Sequence, residues 1–172
     1  MVYVCFASSH NHQGGDAQLR NVFRVVVIVA SMTLSMASAK ASDSESIERA
    51  AHDAYVSAIN SNDVDTLLAD LTDDIVYQSP GEPEIVGKAA VRKWLAEYFG
   101  ATRTHWEKTS IGFVVNGDWA FERYTYKSTD TDKKTGAVST DTGKGINIFR
   151  RGNDGRWRVA IDGWSSDRPA GH

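Results

Sequence analysis

The chain has a single cysteine, Cys5, in 172 residues, and nothing after it that could form a disulfide, act as a thiol nucleophile or hold zinc or iron–sulfur through sulfur. The three methionines, Met1, Met32 and Met36, lie in the same N-terminal stretch. Long apolar runs are missing as well. Val25 to Ala37 is broken by Ser31, Thr33 and Ser35, short of the ~20 apolar residues of a membrane span, so no stable membrane anchor is expected. Positive charge is scarce: the formal net charge is −3, which argues against nucleic acid as a partner, because phosphate binding needs clustered Lys and Arg. Beyond the N-terminal stretch there is no HExxH or HxH metal spacing, no glycine-rich phosphate loop and no GxSxG elbow. No metal and no cofactor is called for.

Residues 20 to 41 combine a basic start (Arg20, Arg24), an apolar stretch and small residues at alternate positions. This is the pattern of a signal peptide, with cleavage after Ala39 or Ala41. The polar stretch ahead of Arg20 is unusual for a leader and suggests a translation start misassigned upstream. Residues 1–41 therefore read as a leader and 42–172 as one domain, exported to the periplasm or secreted. Setting the leader aside removes three basic residues (Arg20, Arg24, Lys40) against one acidic, Asp16, so the remainder is more acidic still. With 41% hydrophobic and 24% charged residues, the chain is neither disordered nor collagen-like, and tryptophans 94, 106, 119, 157 and 164 supply bulk for one core.

From Ser42 to Asn60 apolar residues recur at three-and-four spacing, predicting an amphipathic helix with a capping box at Ser42 and Glu45. Asp63 can cap a short second helix through Leu71. A brief strand, Asp74 to Gln78, precedes the turn-rich SPGEPE, and a third helix runs from Gly87 to Phe99 with Gly100 as its C-terminal cap. Four long aromatic and β-branched segments follow, Thr104–Val115, Trp119–Ser128, Val138–Arg151 and Arg156–Asp167, separated by glycine-bearing turns at 117, 136 and 155. The fold class is α+β: three helices packed on a curved antiparallel sheet in the order α-α-β-α-β-β-β-β. Trp119 and Phe121 point one way and Tyr124 and Tyr126 the other, while Ile111, Phe113 and Val115 alternate with Val114. Helices can cover only one side, so a homodimer through the open sheet face is expected.

The segments YVSAINSNDVDTLLADLTDDIVYQSPGEPEIVGKAAVRKWLAEYF, GDWAFERYTY and GINIFRRGNDGRWRVAIDGWSSDRP span nearly all of 42–172. They resemble the nuclear transport factor 2-like superfamily, in its SnoaL-like and ketosteroid isomerase-like branch. The resemblance implies a cone in which a bent sheet wraps around the first helix and leaves an apolar pocket open at one end. In the isomerase branch a carboxylate base works with a tyrosine and a protonated acid that bind the developing oxyanion. Here the tyrosine position is Tyr55, the acid position Asn147 and the base position Gln78, an amide that cannot take a proton from carbon. On the last strand Ala160, Asp162 and Trp164 share one face by simple alternation, which makes Asp162 the candidate base. Its alternative is a structural carboxylate paired with Arg123, Arg150 or Arg158.

The candidate catalytic residues are thus Asp162, Tyr55 and Asn147. The candidate ligand-binding residues are Gln78, His52 (one turn before Tyr55), Trp94, Tyr98, Phe149 and Trp164. Two functions fit: an apolar pocket catalysing proton transfer on a small hydrophobic carbonyl compound, of isomerase or cyclase type, or a module that binds a ligand or dimerises without chemistry.

Overall fold

The computed structural model describes residues 43–168. The expected leader, and Ser42 of the capping box, lie outside them. Helix α1 covers 43–60 and buries Ala51, Tyr55, Ala58 and Ile59, the face its spacing predicted. After a turn, Asp63 caps α2 (Val64–Ala69) by accepting the Thr66 backbone N–H at 2.7 Å. Leu71 does not extend α2 but opens β1 (Leu71–Gln78), which is longer than its apolar part suggested. A two-residue strand, β2 (Ile85–Val86), was not foreseen.

Helix α3 spans Lys88–Ala101 and buries Val91, Leu95 and Phe99. Gly100 is not its cap. The helix ends at Thr102 in extended geometry and runs directly into β3, so no left-handed residue is needed. Its last carbonyls are met from another element: Lys133 donates its Nζ to the Phe99 carbonyl, and its backbone N–H to that of Ala101 at 2.8 Å.

Four long strands follow: β3 (Thr102–Asn116), β4 (Trp119–Asp132), β5 (Val138–Arg151) and β6 (Trp157–Ser166). Gly117, Gly136 and Gly155 have φ of 62°, 74° and 78° in the connecting turns, the left-handed region that glycine enters freely. The sheet has six strands in the order β2-β1-β6-β5-β4-β3. It is mixed rather than antiparallel throughout, because β1 lies parallel to β6. The expected order gains one strand, β2.

Two bulges alter which side chains face inward. One falls between Ser110 and Gly112 on β3, the other between the pairs Ile148–Ile161 and Phe149–Val159 on β5 and β6. An extra residue reverses the alternation beyond it. Ile111 therefore joins Val114 on the outer face, at 49% and 61% exposure, although alternation grouped it with Phe113 and Val115. Val159 packs into the core with Asp162 on the inner side, although it was placed opposite.

Candidate active site

The pairing register draws one line of polar side chains across the inner face of the sheet. Tyr77 stands opposite Asp162, Asp162 opposite Asn147, and Asn147 opposite Glu122. Helix α1 crosses this line with Tyr55 and His52 three residues apart, on one side of the helix. Asp162 is 5% exposed and accepts three hydrogen bonds: Tyr55 Oη to Oδ2 at 2.6 Å, Tyr124 Oη to Oδ1 at 2.9 Å, and Asn147 Nδ2 to Oδ1 at 2.7 Å. Tyr77 Oη lies 3.2 Å from Tyr55 Oη; since the Tyr55 proton is committed to Asp162, Tyr77 is the donor in that contact.

Behind Asp162 sit two further charged groups. Lys108 is buried, donates its Nζ to Asn147 Oδ1 at 2.7 Å and lies over the rings of Tyr124 and Tyr55 at 3.6 and 4.8 Å. Glu122, 1% exposed, accepts from His52 Nδ1 at 2.5 Å through Oε1, while its Oε2 has no partner among the described residues. Two carboxylates thus share the interior with one lysine and one histidine, which limits the net buried charge.

Burial pushes the Tyr55 hydroxyl well above its usual range, and the Asp162 charge adds to this. Burial likewise raises Tyr77 and Tyr124, so all three phenols remain donors at neutral pH. Burial lowers Lys108, against the pull of Asp162 and Glu122. The hydrogen bond to Glu122 raises His52 against its own desolvation.

Asp162, Tyr55 and Tyr77 close the inner end of a cavity of about 220 Å³. Its walls are Trp94, Tyr98, Trp106, Tyr126 and Trp164, with Leu67, Leu95 and Phe99 behind them. Trp94 stacks on Tyr98 at 5.2 Å between ring centres, and Tyr77 meets Trp94 and Trp164 edge to face, each at 5.9 Å. The structure thus brings together Asp162, Tyr55, Trp94, Tyr98 and Trp164 from the expected set.

The other expected residues fall elsewhere. Gln78 is exposed on the opposite side of β1, donating to Glu84 Oε1 at 3.0 Å; its neighbour Tyr77 occupies the inward position together with Ile75, by plain alternation along this end of the strand. His52 turns to Glu122 and does not line the cavity. Phe149 is buried against Phe113 with ring centres 5.9 Å apart. Asn147 is fully buried behind Asp162; it positions the carboxylate rather than meeting a ligand. None of the three arginines considered as partners of Asp162 reaches it. Arg150 binds Asp74, Arg158 binds Asp154, and Arg123 lines the outer sheet face.

Lys108, Tyr77 and Glu122 were missed by sequence reading. Glu122 had a usable signal, since it shares the inward parity of Tyr124 and Tyr126 on β4. Among the described residues no cluster of His, Cys, Asp or Glu is placed to hold a metal ion, and no helix is long and apolar enough to cross a membrane.

The glycines at 143 and 145 have a defined part in the site. They stand opposite Tyr126 and Tyr124 across β4–β5, and both tyrosine rings occupy the space a Cβ would need. Tyr124 thereby lies across β5 and delivers its hydroxyl to Asp162 on β6.

Residues 52–160 match the family model of the SnoaL-like domain. A ketosteroid isomerase-like protein from Erwinia carotovora atroseptica is similar at 30% identity and a TM-score of 0.66, over 72% of this chain and 96% of that one. A conserved protein from Planctomyces limnophilus has 24% identity and a TM-score of 0.64, covering 71% and 96%. A nuclear transport factor 2-like superfamily protein from Salmonella enterica Typhimurium has 16% identity and a TM-score of 0.60, covering 79% and 96%. None of the curated proteins compared matches the chain.

Proposed function

Since the chain belongs to the SnoaL-like domain family, we propose that its inner cavity binds a small hydrophobic molecule that reaches Tyr77 and Asp162 at the closed end. One observation carries this reading: an aromatic cavity of about 220 Å³ ends on Asp162, a carboxylate already held by three donors. Apolar walls with a few convergent polar groups are the usual make-up of a ligand pocket. A panel of small hydrophobic ketones, alcohols and amines screened by thermal shift tests it. A compound that stabilises the wild type should bind Trp94→Ala about tenfold more weakly or worse, because the ring forms a wall of the cavity. A compound that stabilises both proteins equally would place binding elsewhere and count against the assignment.

The chain of hydroxyls from Tyr77 through Tyr55 to Asp162 favours a second reading, proton transfer on a bound carbonyl compound with Asp162 Oδ2 as acceptor. Asp162→Asn separates the two. Under proton transfer it abolishes turnover with affinity nearly retained, since the amide keeps the shape without the basicity. Under binding alone no turnover exists to lose.

The outer face of the sheet supports a homodimer. Ile111, Val114, Trp119, Phe121 and Ile146 are all exposed there, beside a groove of about 630 Å³ floored in part by Ile146, Ile148 and Ile161. Sedimentation at micromolar concentration should give twice the chain mass, and Phe121→Glu should return it to the monomer. A wild type that sediments only as monomer would refute the dimer.

A further inference from the structure

The charge of the cavity lining is one-sided. Besides Asp162 it includes Asp130 and Asp141, and no lysine or arginine side chain lines it. Asp130 accepts from Tyr98 Oη at 2.9 Å and from Thr104 Oγ1 at 2.5 Å; no basic group pairs with it among the described residues. Asp141 accepts from Tyr126 Oη at 2.8 Å and Ser166 Oγ at 2.7 Å, and faces Arg168 Nε at 3.2 Å. Lys108 stands behind Asp162, on the far side of Asn147. A fourth carboxylate, Glu82, accepts from the Trp94 indole N–H at 3.3 Å.

The walls carry the same preference as the carboxylates. Aromatic faces are the negative ends of ring quadrupoles and attract a cation within about 6 Å. Two wall rings, Tyr98 and Tyr126, also give their hydroxyl protons to Asp130 and Asp141. Burial raises both phenols, Tyr98 to about 12, so the hydroxyls stay protonated. An anion entering this space would meet several carboxylates. A neutral molecule would cover the half-exposed Asp130 without giving it a counter-charge, and an unpaired charge taken out of water is costly.

We propose that the ligand of the inner cavity is an organic cation, an alkyl- or arylammonium ion whose charged end lies among the aromatic walls near Asp130 and Asp141. The inference rests on the cavity being a binding site and is independent of whether chemistry follows. It alters the expectation of a carbonyl compound, since the residues facing the ligand are acceptors and ring faces rather than a concentration of positive charge.

Three probes of similar shape test it, titrated at low salt by calorimetry: benzyltrimethylammonium, its neutral carbon isostere neopentylbenzene, and the anion phenylacetate. The cation should bind about tenfold more tightly than the isostere or better, and phenylacetate more weakly than either. Asp130→Asn should narrow the ratio of cation to isostere affinity. Because Asp130 also ties Tyr98 to Thr104, Asp141→Asn serves as a second variant should the first fail to fold. An isostere that binds as tightly as the cation, or a ratio unchanged in every folded variant, would overturn the cationic assignment and leave the pocket standing. Failure of all three probes to bind would count against the pocket itself.

Discussion

Lys108→Met should destabilise the protein by about 3–5 kcal/mol, the range seen when one member of a buried charge set is removed and its partners stay behind. Lys108 is the only lysine or arginine among the buried residues of the described chain, and both Asp162 and Glu122 act on its charge. Its loss also frees the Asn147 amide. Lys108 holds Asn147 Oδ1, which leaves Nδ2 pointing at Asp162; without the lysine the amide can turn its oxygen toward the carboxylate and lose the bond. Urea denaturation reads the effect directly, and a midpoint shift equivalent to less than ~0.5 kcal/mol, the range of an ordinary surface substitution, would contradict the charge arrangement. Adding Glu122→Gln to Lys108→Met should restore part of the loss, because one of the two buried carboxylates is then gone. Simple loss of packing predicts no such recovery.

Gly145→Ala carries the second large effect. A Cβ at this position would stand 2.5 Å from the Gly163 carbonyl oxygen, and closer still to the Tyr124 ring and hydroxyl. The Gly163 oxygen is backbone in the neighbouring strand and cannot swing away, so the new methyl must move Tyr124 or part β5 from β6. Overpacking of this kind costs about 1–3 kcal/mol, and losing the Tyr124–Asp162 hydrogen bond at a buried charge adds about 1–3 kcal/mol. Thermal or chemical unfolding should therefore show a loss of about 2–6 kcal/mol from one methyl group. Gly112→Ala is the control: its Cβ would meet nothing within 4 Å, so it should cost less than ~1 kcal/mol. Equal effects at the two positions would remove the special role given to Gly145.

How much of this could be read from the chain depends on the range of the interactions involved. Local signals carried far: the spacing in α1 placed Tyr55 inward, Asp63 caps α2, and the glycines at 117, 136 and 155 mark the turns between the long strands. Asp162 and Trp164 were also found, because the segment beyond the β6 bulge keeps its alternation. What failed was parity across irregularities. A bulge at Ile111 and another at Ala160 each reversed the faces of the residues around them. No local pattern announces such an insertion; it is fixed by strands that meet from distant parts of the sequence.

The charged residues were hidden for a different reason. Lys108 and Glu122 look like surface residues in composition, and only the register that aligns Glu122 with Asn147, and Asn147 with Asp162, brings a second carboxylate inside, with Lys108 donating to the Asn147 between them. The same register explains why Asn147, read as a donor to a ligand, is a donor to Asp162. Site chemistry in this scaffold is thus set by cross-strand rows, each strand contributing one inward residue, and a single change in a row alters what the helix α1 tyrosine can hold.

The central claim is that the aromatic cavity ending on Asp162 is a binding site. Native mass spectrometry of the protein isolated from its own host tests it most directly. The expected species is heavier than the bare chain by one small organic molecule, released on denaturation, positively charged in solution, and depleted in Trp94→Ala. A folded wild-type chain that carries only its own mass, and whose spectrum no small hydrophobic amine, ketone or alcohol changes, would contradict it.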